Sequence, residues 1–440
     1  MKNNIALLGT LITGAALLTT GCAPKNSVWK SIKNPQTTAQ LKSFVAEKSA
    51  QAIAAAKTAG QPMPPEFKSF FAAAAQGDWP GVHNRFREFS RHAPQYELSG
   101  RTDMRLRGTE WGAVMETFGL LECLNGAGEK YSAAYGDDII DSIPAGSIYF
   151  GGTDPGRFLV TGFEKSQVNA DPFFVLTQNA LADESYLQYL RSMYADKIYV
   201  PTAEDSQNCF HDYAADAQVR AQNHQLKPGE NVKTTDGRLQ ISGLVSVMEI
   251  NGLLAKVLFD KNPDRDFYLQ ESYPLDWMYP HLAPHGLIFK INRQPLAELS
   301  VETCQQDHDY WTHYVQPLIG DWLSDDTSVE TVGAFVKKVF RQHDLTGFTG
   351  DPHFVQNQEA CKMFSQLRGS LAHLYVWRLD QARTPAEQDR MARAADFAFR
   401  QALALWPNDL ALTRRYVAFL NQQNRSSDAK WVGEMTIPQS

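Results

Sequence analysis

The chain has 440 residues, of which 43% are hydrophobic and 21% are charged, as expected for a folded protein of two or three domains. Its formal net charge is −7, so it lacks the basic excess that nucleic-acid binding requires. We therefore expect a globular protein that has no nucleic-acid partner.

The N-terminus has the pattern of a secretory leader. Lys2 precedes a short apolar run, Ile5 to Leu18, and small residues follow the run up to Cys22. The run is too short to span a bilayer as a helix. Its ending, TTGC, resembles a bacterial lipobox, in which the cysteine is acylated and becomes the first mature residue. Thr19 stands where a leucine is usual, but we expect residues 1–21 to be a lipoprotein signal peptide.

The resemblance implies a lipid-anchored protein of the bacterial cell envelope. Ala23, in place of an aspartate directly after Cys22, is similar to the pattern of Gram-negative lipoproteins sorted to the outer membrane, where the chain would face the periplasm. No later stretch approaches 18 consecutive apolar residues, so we expect membrane attachment through lipid on Cys22. Residues 22–37 are interpreted as a tether.

Residues 38–130 are predicted to form a helical domain. An alanine-rich helix begins at Thr38 and ends at Gly60. Two further helices, PPEFKSFFAAAAQ and PGVHNRFREFSRH, are joined by a turn at Gly77-Asp78-Trp79. The small residues of the first helix and the amphipathic second helix resemble one tetratricopeptide unit.

Residues 137–300 show the alternation of strands and helices that is typical of an α/β domain. A hairpin is predicted to turn at Asp236-Gly237, a favoured two-residue turn. Four further strands are predicted at Ser147–Gly152, Phe173–Gln178, Phe267–Gln270 and Gly286–Ile291. We expect a mixed, partly parallel sheet.

Residues 305–430 are predicted to be helical again. In the final pair, Pro407 closes one helix, while Tyr416, Phe419 and Leu420 of the next face back toward it. This pattern resembles a tetratricopeptide repeat, a fold that usually presents a concave surface to a protein partner. The predicted fold class is thus an α/β core flanked by α-helical tetratricopeptide-like repeats.

The segment FGGTDPGRF, residues 150–158, leaves two interpretations open. It is a tight corner if Asp154 is the N-cap of a helix and Pro155 its first residue. It is a ligand loop if it lies at the carboxyl end of a sheet strand, where open α/β sheets bind ligands. An aspartate at the helix start would repel phosphate, so a sugar-like ligand rich in hydroxyl groups fits better.

Two other predicted strands also end in polar residues. If the three strand ends are neighbours, their carboxylate, amide and guanidinium groups share one crevice and can pair with sugar hydroxyls. The candidate ligand-binding residues are Thr153, Asp154, Arg157, Gln178, Asn179 and Glu271.

Three segments of the α/β region resemble a known family. They are GSIYFGGTDPGRFLVTGF, DPFFVLTQNALADESYLQYLR and RDFYLQESYPLDWMYPHLAPHGLIFKIN, within residues 137–295. Their order is similar to the soluble part of bacterial GT-C-type membrane proteins related to protein O-mannosyltransferases, which often end in tetratricopeptide repeats. This chain has no counterpart of their membrane domain, so the resemblance implies the soluble module and carries over no catalytic residue.

The remaining chemistry-bearing residues are weaker candidates. Aromatic residues at Tyr273, Trp277, Tyr279 and His281 can stack on sugars, but core packing is the favoured interpretation. A solvated loop or helix cap is favoured over calcium binding for Asp137, Asp138 and Asp141. Two disulfides, with three possible connectivities, and buried free thiols are both open for Cys123, Cys209, Cys304 and Cys361.

Three functional hypotheses follow. The first is a non-catalytic envelope lipoprotein that binds a protein partner or a glycan, as an accessory to surface glycosylation or assembly. The second is a carbohydrate-active enzyme that uses Asp154 and Glu271 in the crevice. The third is a purely structural scaffold. We expect neither a metal nor a cofactor, since no metal-binding, nucleotide-binding or hydrolase motif is present in the sequence.

Overall fold

The computed structural model describes residues 27–91, 106, 108–152, 154–164, 173–227, 229–235, 238–270 and 275–436. The described chain is mostly helical and contains a small mixed sheet. The expected mixed sheet is therefore confirmed.

The helices lie before, between and after the strands in the sequence. In chain order they are α1 (Val28–Ser31), α2 (Pro35–Thr58), α3 (Pro65–Ala75), α4 (Trp79–Ser90), α5 (Glu110–Ser142), α6 (Asp154–Phe163), α7 (Glu184–Tyr194), α8 (Ala203–Gln222), α9 (Leu244–Lys261), α10 (Val301–Ile319), α11 (Val329–Val336), α12 (Pro352–Val355), α13 (Gln358–Gln381), α14 (Pro385–Leu405), α15 (Leu410–Gln422) and α16 (Ser426–Thr436).

The strands are short. They are β1 (Ile148–Gly151), β2 (Phe174–Thr177), β3 (Asn231–Thr235), β4 (Arg238–Ser242), β5 (Phe267–Leu269), β6 (Leu282–His285) and β7 (Ile288–Ile291).

The described chain packs as two compact units. The first unit draws on the described residues within 1–125, 161–163 and 174–265. The second draws on the described residues within 126–160, 164–173 and 266–440. Each unit combines separate stretches of the chain, whereas each domain expected from the sequence is one continuous stretch. The boundaries of the expected domains stay predictions.

Four strands of the five-stranded mixed sheet belong to the second unit, in the order β1-β5-β7-β6. β1 runs parallel to β5, with Ile148 opposite Phe267, and β7 runs antiparallel to both β5 and β6. β6 was not expected from the sequence, because it contains Pro284. The strand lies at the end of this series, and an edge strand tolerates the missing N–H of a proline. In the first unit, β3 and β4 form the expected hairpin, although its turn lies outside the described residues.

In the first unit, the expected helix pair is present as α3 and α4. Gly77 turns the chain between them with a φ of 66°, and the Asp78 carboxylate accepts a hydrogen bond from the Gly81 N–H at 3.1 Å. A Cβ at Gly77 would lie 2.5 Å from the indole of Trp29. Glycine is therefore required both by the left-handed turn and by the close approach of the tryptophan.

Helical structure begins inside the stretch that was interpreted as a tether. The cause is the apolar pair Val28 and Trp29, which is buried in the first unit. The Val28 N–H donates to the Gly77 carbonyl at 2.8 Å, and the Trp29 indole donates to the Ala75 carbonyl at 3.1 Å. These contacts attach α1 to the α3–α4 turn.

In the second unit, a buried ion pair joins three helices. The Arg368 guanidinium on α13 donates to the Asp307 carboxylate on α10 at 2.7 Å and to the Gln401 side-chain carbonyl on α14, also at 2.7 Å. The Tyr375 hydroxyl donates to the same Asp307 oxygen at 2.8 Å. Arg368 and Asp307 are almost fully buried, so each depends on the other to offset its loss of hydration.

The last helices of the second unit pack as expected. α14 ends at Leu405, before Pro407, and Tyr416 on α15 stacks on Phe399 of α14 with ring centroids 4.8 Å apart. Tyr416, Phe419 and Leu420 are buried. The tetratricopeptide character of these helices stays a prediction.

Among the described helices, none combines the length and the apolar character that crossing a bilayer requires.

We predict that Asp307→Ala lowers the free energy of unfolding by about 3–5 kcal/mol, because it leaves the Arg368 guanidinium buried without its carboxylate. Urea unfolding of the variant and the parent protein measures the difference. The matched control is Glu298→Ala, which removes an exposed partner of Arg390 and should cost less than about 1 kcal/mol. Equal losses in the two variants would contradict the assignment.

Candidate functional site

The predicted crevice residues fall into different parts of the structure. Gln178 and Asn179 form a short 3-10 turn after β2 in the first unit, while Arg157 lies on α6 in the second. Thr153, Glu271 and the side chain of Asp154 lie outside the described residues. The shared crevice therefore stays a prediction.

The turn after β2 is held by a buried amide. The Asn251 side chain on α9 donates to the Asn179 carbonyl at 3.0 Å and accepts a hydrogen bond from the Ala182 N–H at 2.7 Å. Asn251 and Gln178 are both fully buried. This arrangement fixes the backbone of the turn, while the side-chain oxygen of Asn179 is buried without a hydrogen-bond partner among the described residues.

The loop after β1 is held by a second buried amide. The Gln270 side chain accepts from the Gly152 N–H at 2.8 Å and donates to the Tyr135 hydroxyl at 2.9 Å. A Cβ at Gly156 would lie 2.1 Å from the Gln270 side-chain carbon, so only glycine fits there. Arg157, next in the chain, is buried, with its guanidinium carbon 4.0 Å from the centre of the Phe158 ring.

These contacts favour the tight-corner interpretation of the FGGTDPGRF segment. α6 begins at Asp154, whereas the expected first residue was Pro155 with Asp154 as the N-cap. The observed start would make Thr153 the N-cap. Helix ends differ by a residue between definitions, and Thr153 lies outside the described residues. The glycine at 156 is explained by packing against Gln270, and the glycine at 151 by the close approach of Arg157.

Sequence reasoning missed a charged cluster in the core of the first unit. The Lys48 ammonium on α2 lies 2.6 Å from the Glu116 carboxylate on α5 and donates to the Tyr189 hydroxyl on α7 at 3.0 Å. The Tyr189 hydroxyl donates to Glu116 at 2.8 Å. These residues are far apart in the chain and lie within helices, so no local pattern could have identified them.

The electrostatics of this cluster suit a structural role. Burial, and then the neighbouring Glu116 charge, hold the pKa of Tyr189 well above its usual value, so that the hydroxyl stays protonated and acts as a donor. Only 1% of the Lys48 side chain is exposed. The cluster joins α2, α5 and α7 through groups that satisfy one another.

A partly exposed group of aromatic side chains in the second unit is the strongest candidate for a binding site. We define the aromatic cluster as Tyr279, His373 and Trp377. The Tyr279 ring stacks on Trp377 with centroids 5.4 Å apart and an interplanar angle of 21°. The Tyr279 hydroxyl lies 3.0 Å from His373 Nδ1. Tyr279 is buried, whereas His373 and Trp377 are partly exposed.

A buried arginine holds the backbone beneath this cluster. The Arg378 guanidinium on α13 donates to the carbonyl of Pro280 at 2.9 Å and to that of Leu296 at 2.8 Å. It also donates to the Tyr279 carbonyl at 3.3 Å. The turn that carries Tyr279 is thereby attached to the helix that carries His373 and Trp377.

The imidazole of the cluster is neutral under physiological conditions. Burial, together with the positive charge of Arg415, lowers the pKa of His373 to about 4, against a smaller opposing effect of Asp380. Because Nδ1 faces the Tyr279 hydroxyl, Nε2 is the ring nitrogen of the partly exposed His373 that can pair with a hydroxyl group. The cluster therefore does not require a charged ligand.

The other aromatic candidates are divided. Trp277 and His281 are partly exposed and contact each other edge-on, with ring centroids 6.3 Å apart, while Tyr273 lies outside the described residues. The core-packing interpretation holds for Tyr279, which is buried. The sequence pattern did not identify His373 and Trp377, the residues on α13 that Tyr279 contacts.

The acidic cluster lies on α5 instead of in a loop. Asp138 accepts a hydrogen bond from the Tyr314 hydroxyl at 2.7 Å. Burial, reinforced by Asp141 and opposed by the Tyr314 hydrogen bond, raises the pKa of Asp138. Within the described residues no group of three or more histidine, cysteine, aspartate or glutamate side chains could hold a metal ion.

The four cysteines after Cys22 are free thiols in the structure. Cys209, Cys304 and Cys361 are buried, and Cys123 is partly exposed. Burial raises the pKa of Cys209 and of Cys304 to about 11, so both stay protonated near neutral pH. The sequence left both disulfides and free thiols open for these four cysteines, and in the structure they are free thiols.

Comparison of the chain with protein-family models, with curated proteins and with solved structures finds no match.

We predict that His373 makes the protein less stable as the pH falls from 7 to 5. The folded state keeps a neutral imidazole down to about pH 4, whereas the unfolded chain takes up a proton near pH 6.5, so acid favours unfolding. The contribution reaches about 2 kcal/mol at pH 5. Urea unfolding at both pH values should show a smaller pH dependence in His373→Gln than in the parent protein. An unchanged pH dependence would contradict the prediction.

Proposed function

We propose that this chain is a lipid-anchored bacterial envelope protein that binds a ligand and performs no covalent chemistry. The leader pattern and the TTGC ending support acylation at Cys22, and Ala23 supports an outer-membrane location facing the periplasm. The body of the protein would then work within reach of that membrane.

The observation that carries the binding role is the aromatic cluster. Its Trp377 ring is partly exposed, is supported from behind by Tyr279 and lies on a helix anchored by Arg378. Pyranose rings have apolar faces that pack on aromatic rings and hydroxyl groups that pair with neutral donors and acceptors. A glycan of the envelope is the ligand class that this chemistry fits. The protein would serve as an accessory to surface glycosylation or assembly, in keeping with the resemblance to the soluble part of the mannosyltransferase-related proteins.

The buried charged clusters support binding over catalysis. Lys48 pairs with Glu116, and Arg368 pairs with Asp307; no side chain of either pair is more than 12% exposed. Their geometry stabilises helix packing, which suits a rigid framework for a ligand site.

A second candidate role is the binding of a protein partner by the C-terminal helices. It is favoured by two large apolar side chains exposed there, Leu410 on α15 at 57% and Trp431 on α16 at 44%. Helices that pack as successive pairs commonly present such side chains to partner segments.

We predict that Cys22 carries acyl chains in the mature protein. Mass spectrometry of the protein purified from bacterial membranes should show a processed N-terminus at Cys22 with a lipid-sized mass increase. In Cys22→Ser the lipid-sized mass increase should be absent. An unmodified Cys22 in a protein that still fractionates with the membrane would contradict the anchor.

We predict that Trp377→Ala weakens glycan binding roughly tenfold, because it removes the exposed ring of the aromatic cluster. Affinity electrophoresis in gels that contain extracted envelope polysaccharide measures the retardation of each variant. Thermal unfolding shows whether the substitution has left the fold intact.

Trp431→Ala is the matched control, since it also removes a tryptophan of the second unit whose side chain reaches the surface. It should keep the retardation in polysaccharide. If an envelope protein co-purifies with the parent chain and with Trp377→Ala but not with Trp431→Ala, the C-terminal helices carry the function. A parent protein that no polysaccharide retards would overturn the glycan assignment.

A further inference from the structure

The charges of the chain are unevenly distributed along the sequence. Five lysines, and neither an aspartate nor a glutamate, precede Glu47, although the whole chain has a net charge of −7. Four of these lysines follow Cys22. The segment next to the predicted anchor thus carries a charge opposite in sign to that of the whole chain.

Three of the lysines lie on one described stretch of the first unit. Lys30 is on α1, Lys33 follows it, and Lys42 is on the second turn of α2. All three side chains are exposed. Lys33 and Lys42, with Thr38, line a shallow depression of about 410 Å³. We call Lys30, Lys33 and Lys42 the lysine surface.

The lysine surface is presented by a fixed piece of structure. α1 is attached to the α3–α4 turn by the Val28 and Trp29 contacts described above. α2 is capped by Asn34, whose side chain accepts from the Gln36 N–H at 2.9 Å, and its buried face includes Leu41 and Phe44. The helices that carry the lysines are therefore packed against the rest of the first unit.

The covalent chain limits how far this surface can lie from an acyl anchor. Five residues lie between Cys22 and Val28, which are therefore six residue steps apart, and a fully extended chain spans at most about 3.6 Å per step, or roughly 22 Å in all. Charges within about 10 Å of an anionic membrane surface are attracted to it at physiological ionic strength. The segment between Cys22 and Val28 is short enough for the lysine surface to come within this distance of the membrane.

We propose that the lysine surface binds the anionic phospholipid headgroups of the membrane that holds the acyl chains. This inference rests on the proposed lipid anchor at Cys22. Ammonium groups pair with headgroup phosphates, and basic residues next to a lipid anchor act as a second membrane-binding signal. The contact orients the first unit on the bilayer, whereas the acyl chains alone would only tether it.

The test uses the mature chain with Cys22→Ser, so that no acyl group contributes to binding. Co-sedimentation compares vesicles that contain phosphatidylglycerol and phosphatidylcholine with vesicles of phosphatidylcholine alone. We expect binding to the anionic vesicles only, and weaker binding at high salt. The triple variant Lys30→Glu/Lys33→Glu/Lys42→Glu should bind roughly a hundredfold more weakly, since each basic residue contributes about fivefold.

The matched control reverses the charge of three other exposed lysines of the first unit by replacing each with glutamate, and thus makes the same change in net charge. These lysines are Lys57, Lys68 and Lys261. It should retain most of the binding. Equal losses in both triple variants, or no binding by the parent chain, would overturn the proposal. Acylation of Cys22 is read separately by mass spectrometry, so failure of the anchor and failure of the lysine surface are distinguishable.

Discussion

The ion pair between Arg368 and Asp307 is the interaction on which the second unit depends. It fixes α13 against α10 and, through Gln401, against α14. Because both charges are buried, α13 has one favourable position, and any other would leave a charge without a partner. The same helix carries His373 and Trp377, so the ion pair also determines where the aromatic cluster stands.

The two proposed contacts of the protein have different physical characters. The aromatic cluster offers a partly exposed tryptophan and a neutral imidazole, which suits an uncharged ligand with apolar faces. The lysine surface offers exposed positive charge, which suits anionic headgroups and is screened by salt. If both contacts form, the protein is held and oriented at the membrane through its first unit while its second unit binds a glycan.

Much of the secondary structure was predictable, because it depends on local pattern. The helix pair around Gly77 and the strands β1, β2, β5 and β7 lie close to their expected bounds. The start of α1 was missed because Val28 and Trp29 are too few to show helical periodicity, and their burial against the Ala75–Gly77 turn comes from tertiary packing. β6 was missed because its pairing with β7 outweighs the unfavourable proline in the strand.

The sequence by itself shows the leader-like pattern that ends at Cys22, the concentration of lysines before Glu47 and the alternation that predicts a mixed sheet. Each of these features lies in consecutive or regularly spaced residues. Only the tertiary structure decided that Gln270 holds the glycine loop, and that Tyr279 meets His373 and Trp377. These partners are about one hundred residues apart in the chain, and no local periodicity relates them, so packing alone brings them together.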